Sequence, residues 1–478
     1  MSDKPQKPSF DLSKIKTGSF ERRLSLTKAG LMAGSRMASR YTSTLFADKE
    51  TKRLERSKAL SREANYLVAE LGKLKGSVVK IGQVMALYGE HFLPDEVTQA
   101  LHTLEDRTQA MEWRVINDCL LEQLGHVVLN ELEINPLPIG SASLGQVHRA
   151  KVKKTGEELC LKVQYPGVAE SIDADLDAVT QLLKLANLVS KGPAFDDWLH
   201  EVRVMMHREV DYSLEAATTQ AFHDMLVGDE RFIVPRVYAR YSSGSVLATS
   251  YEAGEHVTSE HVAALSQVQR NLLGESFLDL FLKELFVWHQ IQTDPNFGNY
   301  RVRIESDETR LNKNQPSVRL VLLDFGAVQH YDDAFIRPVC QMISCAYHED
   351  LAGVIEGGIA LGFMQREWPH EVLERFGQVC IDVLEPLASA DSKLARTIPK
   401  SCLNSDGQYC WNESDLPTRV AKNATRSAIS RYFKIPPKEF VFLNRKLVGV
   451  YTFISVIQAQ FNGEKQLQTY LQAFDADA

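Results

Sequence analysis

Two acidic residues and one amide constrain this chain more than any other feature of its sequence. Asp294 precedes Asn299 by five positions. Residues 319–323 predict a buried strand that ends at Asp324, and a Phe-Gly pair follows. Phosphoryl transfer from a magnesium–nucleotide complex uses such a set, with one carboxylate near the nucleophile and an amide and a second carboxylate holding the metal. A fold that uses these residues must bring two separate loops together.

The simpler alternative is a pair of ordinary turns, since Asp and Asn favour turns by propensity alone. Spacing and order favour the metal site instead. The apolar run 281–289 predicts a buried helix that delivers Asp294 to a loop stiffened by the following proline. Gly326 lets the backbone turn sharply after Asp324. Asp294 is then expected to orient or deprotonate an acceptor, while Asn299 and Asp324 hold Mg²⁺ against ATP.

The length and net charge of the chain indicate the broad class of protein to which it belongs. A chain of 478 residues is expected to form two or three packed units. Its net charge of −8 argues against nucleic acid as a partner. Residues 1–40 hold nine Lys or Arg against three Asp or Glu, a balance of +6 that leaves −14 elsewhere. Residues 21–45 favour a basic amphipathic helix for an anionic membrane surface, or else a helix that packs on the domain.

The cysteines and the apolar segments bear on the compartment. Seven scattered cysteines form no Cys-x-x-Cys pair, which indicates reduced thiols in the cytosol. The polar start lacks the apolar core of a secretory signal. The apolar stretch 447–457 is too short to cross a bilayer and predicts a buried helix. We therefore expect a cytoplasmic protein with peripheral contact to a membrane.

Hydrophobic periodicity separates helical from strand-rich stretches. Residues 50–130 show helical spacing, whereas residues 133–139 predict an edge strand because two prolines would interrupt a central one. Residues 147–152 and 158–165 predict a β pair around a Lys-Thr-Gly turn. Residues 168–226 favour helices again.

Further strands are predicted at residues 234–238 and 246–251. After Gly254 almost everything is expected to be helical, apart from the motif loops and a polar loop over residues 305–317. This organisation divides the chain into a basic N-terminal segment, a helical extension, a strand-rich unit with a helical insertion, and a helical unit. Their predicted ranges are 1–45, 46–132, 133–252 and 253–478.

Small residues and one strand lysine suggest where a nucleotide binds. A turn of small residues between two predicted strands lets backbone N–H groups approach phosphates. Lys162 lies on the apolar strand 159–163, where an ammonium without a partner would be costly. ATP phosphate and a helix carboxylate would supply that partner, and the alternative is an edge lysine that points to water. The turn comprises Gly140, Ser141, Ala142 and Ser143.

Helix carboxylates lie at suitable places. Glu209 and Glu215 are six residues apart, so on a continuous helix they point to different partners. Asp211 lies between them, and the alternative for all three is an acidic face in solvent. Glu252, directly after the strand 246–251, joins the predicted nucleotide-binding set. The earlier segment 71–83 predicts by itself only a basic helix with glycines that permit close packing.

Together these residues resemble the UbiB-like atypical kinase family, also called the AarF, ABC1 or ADCK group. The matching segments follow the family order over roughly residues 60–460, and residues 292–296 look closest to its coenzyme Q biosynthesis branch. Four further segments match family motifs: Lys80-Ile81-Gly82-Gln83, the small-residue turn at 140–143, the strand lysine with its trailing segment at 161–168, and Glu209-Val210-Asp211.

The resemblance implies an α+β, two-lobed protein-kinase-like fold. A family-specific N-terminal helical extension would carry the Lys-x-Gly-Gln helices, and the C-lobe would be mainly helical. Lys80 and Gln83 would face the active site with Glu209 and Asp211. The covering helices would obstruct the groove for a protein substrate. Lys162 would pair with Glu215.

The function implied is an ATP- and Mg²⁺-dependent atypical kinase or ATPase that supports ubiquinone biosynthesis or lipid metabolism at the membrane. Implied partners are ATP, a small-molecule or lipid-like acceptor, an anionic membrane surface and quinone-biosynthesis proteins. A kinase for a small molecule or lipid head group, and a nucleotide-binding scaffold without turnover, remain alternatives. Gly140 and Ser141 replace alanines common in the family loop, which leaves the nucleotide preference open. No Ala-Pro-Glu follows Asp324, which argues against activation by phosphorylation.

Overall fold

The computed structural model describes most of the chain as two compact units. The first comprises the described residues up to Ser213 together with Tyr238–Ala248, and the second comprises Leu214–Val237 and the described residues from Thr249 onward. The predicted basic arm, Ala142, Ser143 and most of the polar loop at 305–317 lie outside the described residues. The described ranges are 58, 60–62, 64–69, 71, 77–88, 93–103, 110–141, 144–185, 188–189, 192–305, 316–420 and 438–476.

Helices and strands alternate along both units. The strands are β1 Leu132–Ser141, β2 Gly145–Val152, β3 Glu158–Gln164, β4 Phe232–Ile233, β5 Val246–Ser250, β6 Glu255–His256, β7 Gln290–Gln292, β8 Tyr300–Ile304, β9 Val318–Leu322 and β10 Val328–His330. The helices are α1 Ser77–Tyr88, α2 Asp95–His102, α3 Trp113–Leu129, α4 Val168–Leu185, α5 Pro193–Glu209, α6 Tyr212–Leu226, α7 Glu260–Ala263, α8 Gln267–Lys283, α9 Asp333–Tyr347, α10 Leu351–Ala360, α11 His370–Asp382, α12 Lys393–Thr397, α13 Lys438–Val456 and α14 Glu464–Ala476.

A four-stranded sheet in the order β1-β2-β3-β5 organises the first unit. The strand with two prolines lies at its edge, as predicted, and its register against β2 slips on both sides of Pro138. The predicted β pair is confirmed, because β2 and β3 run antiparallel from Gly145 opposite Gln164 to Lys151 opposite Glu158. Gly156 ends the turn between them at φ 77°, a left-handed conformation that glycine tolerates.

The helices of the first unit bury one apolar face each against a shared core. Helix α1, which carries the Lys-x-Gly-Gln segment, buries Ile81 and Met85 in that core. Its first residue, Ser77, donates its hydroxyl hydrogen to the buried carboxylate of Asp175 on α4. Pro94 is the N-cap residue of α2. The core therefore fixes the helix on which Lys80 and Gln83 lie.

The second unit contains more strand than the sequence suggested. The strand predicted at 319–323 is confirmed by β9, but the expectation that almost everything else after Gly254 is helical is wrong for β6, β7, β8 and β10, which are two to five residues long. The second sheet has the order β4-β9-β8-β6, and β7 pairs with β10. Such short strands show too little alternation of apolar and polar residues to be recognised in the sequence. They form because they pair with strands that are distant in the sequence. The strand expected at 234–238 makes only a bridge between Val237 and Thr249.

The helix that leads to the predicted catalytic loop ends earlier than expected. Helix α8 ends at Lys283, and one π-helical turn, Glu284–Trp288, continues it. His289 then adopts a left-handed conformation at φ 51° and the chain enters β7. A widened turn of this kind re-aims the chain at a helix end. Among the described residues no helix is both long enough and apolar enough to cross a membrane.

Candidate active site

In the first unit Lys162 lies over an aromatic ring. Its Nζ is 5.0 Å from the ring centroid of Tyr212, a cation–π contact. Tyr212 is buried and directly follows the Glu-x-Asp segment. A side chain at Gly145 would come within 2.6 Å of the Val163 carbonyl oxygen and 2.8 Å of the Tyr212 hydroxyl. Tyr212 thus joins the strand lysine to the turn before β2, a role that sequence reasoning missed.

The described part of the small-residue turn belongs to strand β1. Gly140 lies opposite Val147 and Ser141 lies opposite Gln146. Both are exposed, and no atom of the described residues beyond Gly140 and its chain neighbours lies within 4 Å of the position that a side chain at Gly140 would take. Open space beside this backbone is compatible with a bound phosphate. The assignment of Gly140 and Ser141 to nucleotide binding remains a prediction.

The two family motifs of the first unit contact each other. Lys80 Nζ lies 2.9 Å from Glu209 Oε2. Gln164, at the end of the Lys162 strand, donates its amide hydrogen to the Val210 carbonyl at 2.9 Å. The Glu-x-Asp segment therefore joins the helix of Lys80 to the strand of Lys162. Gln83 lies one turn after Lys80 on α1, and the roles of Gln83 and Asp211 remain predictions.

In the second unit Asp294 and Asn299 are hydrogen-bonded to each other. The Asn299 amide nitrogen donates to Asp294 Oδ2 at 2.9 Å. The opposite oxygen, Oδ1, lies 2.7 Å from the guanidinium of Arg445 on helix α13. With its nitrogen directed at Asp294, the Asn299 amide keeps its oxygen as the group able to bind a cation. The five-residue spacing thus brings these two side chains together.

Asp324 is held at the start of the second loop. Gly326 N–H donates to Asp324 Oδ1 at 2.9 Å. A side chain at Gly326 would lie 3.3 Å from that oxygen and 3.7 Å from the carboxylate of Glu215. Glycine therefore keeps the space in which the carboxylates of Asp324 and Glu215 lie near each other.

The residue between Asp324 and Gly326 fixes the loop to helix α6, which carries Glu215. Phe325 is buried, and its ring centroid lies 4.6 Å from that of Phe222 on that helix. Phe222 in turn meets Trp288 of the π-helical turn edge-on at 5.7 Å. An aromatic cluster therefore sets where the Asp324 loop and the Glu215 helix lie within the second unit.

Buried Gln292 bridges the two loops. Its amide nitrogen donates to the Asp294 carbonyl at 3.0 Å and lies 3.4 Å from the Asp324 carbonyl. Its amide oxygen accepts from the Tyr300 hydroxyl at 3.2 Å. Further bonds join the loops: Leu323 N–H to the Asn299 carbonyl at 2.9 Å, and the Thr293 hydroxyl to the Ala327 carbonyl at 2.7 Å.

The pKa of Tyr300 reflects the acidic groups that surround its hydroxyl. Burial raises the pKa of its phenol well above the ordinary value of 10, and the charges of Glu284, Asp294 and Asp324 raise it further, while Arg445 opposes them. The hydrogen bonds of Gln292 and of Leu323 independently join the same two loops. The two loops that carry Asp294 and Asp324 therefore meet, as the sequence motif requires.

A buried ion pair lies beneath this site, and sequence reasoning missed it. Lys446 Nζ lies 3.0 Å from Glu284 Oε2, and both side chains are almost fully buried. Glu284 also accepts a hydrogen bond from the backbone of Gln292. The sequence feature that could have revealed this ion pair is the adjacent Arg and Lys within the apolar helical segment 440–450. Charges at such a position are costly unless they have partners.

Glu252 has both carboxylate oxygens engaged. Oε1 accepts from the Ser250 hydroxyl at 2.7 Å, and Oε2 lies 2.9 Å from the Arg303 guanidinium. The place of Glu252 in the nucleotide-binding set remains a prediction. The predicted pairing of Lys162 with Glu215 joins residues of different units and also remains a prediction.

The donor set suits magnesium. Mg²⁺ prefers oxygen ligands and commonly takes only one or two protein groups, filling its other positions with phosphate oxygens and water. Asp324 supplies a carboxylate, and Asn299 supplies an amide oxygen from a loop that is bonded to the Asp324 loop. These residues fit a magnesium–nucleotide complex.

Comparison with known families agrees with this geometry. A model of the ABC1 atypical kinase-like domain matches residues 103–357, more than half of the chain. The chain belongs to the ABC1 atypical kinase-like family. This match confirms the resemblance drawn from the motifs, and with it the α+β kinase-like fold in which each of the two units has its own core.

Relatives in this family include proteins named atypical kinase COQ8, mitochondrial. The one from Schizosaccharomyces pombe is 27% identical over 400 residues, covering 84% of this chain and 61% of the relative. The one from Caenorhabditis elegans, named coq-8, is 29% identical over 83% of this chain and 49% of its own length. The one from Saccharomyces cerevisiae is 26% identical over 80% and 71%. The chain thus spans about half to seven-tenths of these relatives.

Solved structures add support for the fold alone. The complex of Rv3197 with erythromycin from Mycobacterium tuberculosis aligns with a TM-score of 0.57 at 23% identity. The alignment covers 87% of this chain and 97% of the solved one. The fold shared with this structure therefore extends beyond residues 103–357, which the family model matches.

Proposed function

We propose that this chain binds ATP with Mg²⁺ and catalyses transfer of the terminal phosphoryl group to water or to a small acceptor. The observation that carries the proposal is the junction of the two loops in the second unit. Gln292 bonds to the carbonyl of Asp294 and lies within reach of the carbonyl of Asp324, and the backbone of Leu323 bonds to Asn299. A nucleotide-binding scaffold has no need of all three functional side chains.

Each side chain has a distinct proposed task. Asp324 and Asn299 hold the metal, which supplies positive charge against the phosphates when bound. Lys162 holds a phosphate oxygen, and Glu215 orients Lys162. Asp294 accepts a hydrogen bond from the attacking hydroxyl, and so directs its lone pair at phosphorus and takes its proton. The junction of the loops keeps Asp294, Asn299 and Asp324 in register within the second unit.

The motifs of the first unit form a proposed gate. The Lys80–Glu209 pair is partly exposed, so water can replace either partner at modest cost. Together with Gln83 and Asp211, these residues control access to the nucleotide or to the acceptor. This proposal rests on the contact between the two motifs and on their place in the family.

A thermal-shift experiment tests nucleotide binding. ATP with Mg²⁺ at a hundredfold excess over its dissociation constant should stabilise the chain by about 2.7 kcal/mol through mass action. Asp324→Asn should abolish this stabilisation. A rise in melting temperature of equal size in the variant would exclude Asp324 as the metal ligand.

Product analysis tests turnover. With labelled ATP, hydrolysis releases free phosphate, whereas a small-molecule or lipid kinase places the label on an acceptor. Asp294→Asn should lower the rate by roughly 10²-fold or more while ATP still binds. Unchanged turnover in this variant would contradict the catalytic assignment and favour the scaffold.

The biological setting is proposed from the relatives. Because the COQ8 proteins are named atypical kinases of mitochondria, and residues 292–296 look closest to that branch, we propose a role in ubiquinone biosynthesis with proteins of that pathway. Metabolite profiling of a deletion strain should then show loss of quinone. Normal quinone levels would leave lipid metabolism as the setting.

Membrane attachment is proposed from the sequence of residues 1–45. Its basic and apolar residues suit an anionic surface. Vesicles with anionic lipid should bind the full chain better than a chain that lacks these residues. Equal binding of both would rule out a membrane-binding arm.

A further inference from the structure

The loop that carries Asp294 has no basic residue of its own. Its sequence from Asp294 to Asn299 is Asp-Pro-Asn-Phe-Gly-Asn. A cation nevertheless reaches the carboxylate, because Arg445 lies 2.7 Å from Asp294 Oδ1. Arg445 follows Asp294 by 151 positions and lies on helix α13. The fold therefore places a positive charge beside this loop, whose own sequence contains none.

Close packing of α13 against the loop sets this distance. A side chain at Gly449 would fall 2.0 Å from Pro295 Cβ, so only glycine allows the helix to lie where it does. Lys446 fixes the same helix a second time, through its 3.0 Å ion pair with Glu284. Glu284 in turn bonds to the backbone of Gln292, two residues before Asp294. Helix and loop are therefore held together at three points.

The Asp294 carboxylate is consequently fixed at both oxygens. Asn299 donates to Oδ2 at 2.9 Å, and Arg445 donates to Oδ1 at 2.7 Å. A carboxylate bonded at one oxygen only could rotate about its χ2 torsion, which has a broad energy minimum. The planar guanidinium removes that freedom by holding the second oxygen.

Stability does not explain the contact. The side chains of Arg445 and Asp294 are 25% and 29% exposed. Ion pairs this accessible contribute little to folding. Arg445 also lines an open groove of about 420 Å³ with Phe297 and Val448, which gives solvent access to the pair. The pair is therefore weak as a structural contact and well placed as a functional one.

We propose that Arg445 is a positioning residue that acts through Asp294, holding its carboxylate toward the attacking hydroxyl. The inference rests on the proposed function and adds to it a residue from a distant helix. Removing the guanidinium should free the carboxylate to turn away. Misplacement of a catalytic group by about 1 Å can cost 10²-fold in rate.

The test is a double-mutant cycle on turnover of ATP with the full chain. Arg445→Gln should lower kcat roughly ten- to hundredfold with little change in KM for ATP, and Arg445→Lys should restore part of the loss. In an Asp294→Asn background, Arg445→Gln should cause no further loss. Multiplicative losses would show that Arg445 acts independently of Asp294 and would overturn the proposal.

Two further variants separate positioning from folding. Gly449→Ala should push α13 from Pro295 and lower kcat with Arg445 intact, while ATP with Mg²⁺ still raises the melting temperature. Arg375→Gln is the matched control, since Arg375 pairs at 2.6 Å with Glu371 elsewhere in the second unit and both side chains are exposed. It should leave kcat unchanged, and an equal loss of kcat in this control would overturn the proposal.

The outcomes distinguish the two levels of inference. If wild-type turnover depends on Asp294 but Arg445→Gln behaves as wild type, the proposed function stands and the positioning role is wrong. If Asp294→Asn itself retains full turnover, the proposed function fails first. Loss of ATP-induced stabilisation in Arg445→Gln would indicate wider damage to the site and would also contradict a role confined to Asp294.

Discussion

Each unit carries a lysine–glutamate ion pair of nearly the same length in very different surroundings. In the first unit Lys80 lies 2.9 Å from Glu209, and the side chains are 23% and 36% exposed. In the second unit Lys446 lies 3.0 Å from Glu284, and the side chains are 2% and 1% exposed. The distance between the charges therefore does not reveal what either pair does.

Solvent access determines how the two ion pairs differ in their contribution to stability. When the exposed pair opens, water solvates both charges, so the pair contributes about 0–1 kcal/mol and can act as a gate. When one partner of the buried pair is lost, the other stays as a charge in an apolar interior, at a cost of about 3–5 kcal/mol. The first pair suits motion, and the second suits a rigid support for the catalytic loop.

The largest expected effect comes from breaking the buried pair. Lys446→Met should lower the free energy of unfolding by about 3–5 kcal/mol, because Glu284 is left without its cation. Adding Glu284→Gln should recover much of this loss, since the uncompensated charge is then gone. Urea unfolding of the single and double variants measures both effects. If Lys446→Met were as stable as wild type, the buried pair would contribute no more to stability than the exposed pair of the first unit.

The loss of folding stability caused by Lys446→Met should also depend on pH. Burial, opposed by Lys446, raises the pKa of Glu284 from 4.5 to about 7. For a carboxyl with a raised pKa, the associated stability is present below the unfolded value of 4.5 and is lost as pH rises through the folded value. The variant should therefore lose less stability at about pH 5 than at about pH 8.

An intermediate effect is expected at a second ion cluster of the second unit. Burial would raise the pKa of Asp229, but hydrogen bonds and charge from Arg231, with Lys283, lower it to about 2. Asp229→Asn should therefore cost about 2 kcal/mol near neutral pH. Because the pKa is depressed, the difference from wild type should shrink as pH falls from 3.8 toward 2. A constant difference over that range would contradict the assignment.

The smallest stability effect is expected at the exposed pair. Lys80→Met should change the free energy of unfolding by less than about 1 kcal/mol while altering the rate of ATP turnover. Arg203→Gln is a suitable control, because Arg203 also forms partly exposed pairs, with Asp173 and Asp177, and should leave turnover unchanged. A loss of several kcal/mol in Lys80→Met would show that the first unit depends on its pair as the second does.

Sequence alone predicted the local features of the first unit well. The edge position of β1 followed from its prolines, and the β2–β3 pair followed from alternation and a turn residue. These signals lie within a few residues of the structure they predict. The spacing of Asp294 and Asn299 was equally local, and the two side chains are indeed bonded.

Sequence reasoning failed where distant segments decide the outcome. Strands β6, β7, β8 and β10 are too short for a periodic signal, and the π-helical turn Glu284–Trp288 extends a pattern that looks helical throughout. Gln292, Tyr300, Arg445 and Lys446 were missed as well. Their roles depend on partners as far as 162 positions away, because Lys446 pairs with Glu284.

The amino-acid sequence determined which chemistry is available, since the carboxylates, the amide and the strand lysine stand at spacings that local backbone geometry converts into loops. Only the tertiary structure decided which cations meet which carboxylates. An ion pair depends on distance and solvent access, and both arise when helices and strands far apart in sequence pack against each other.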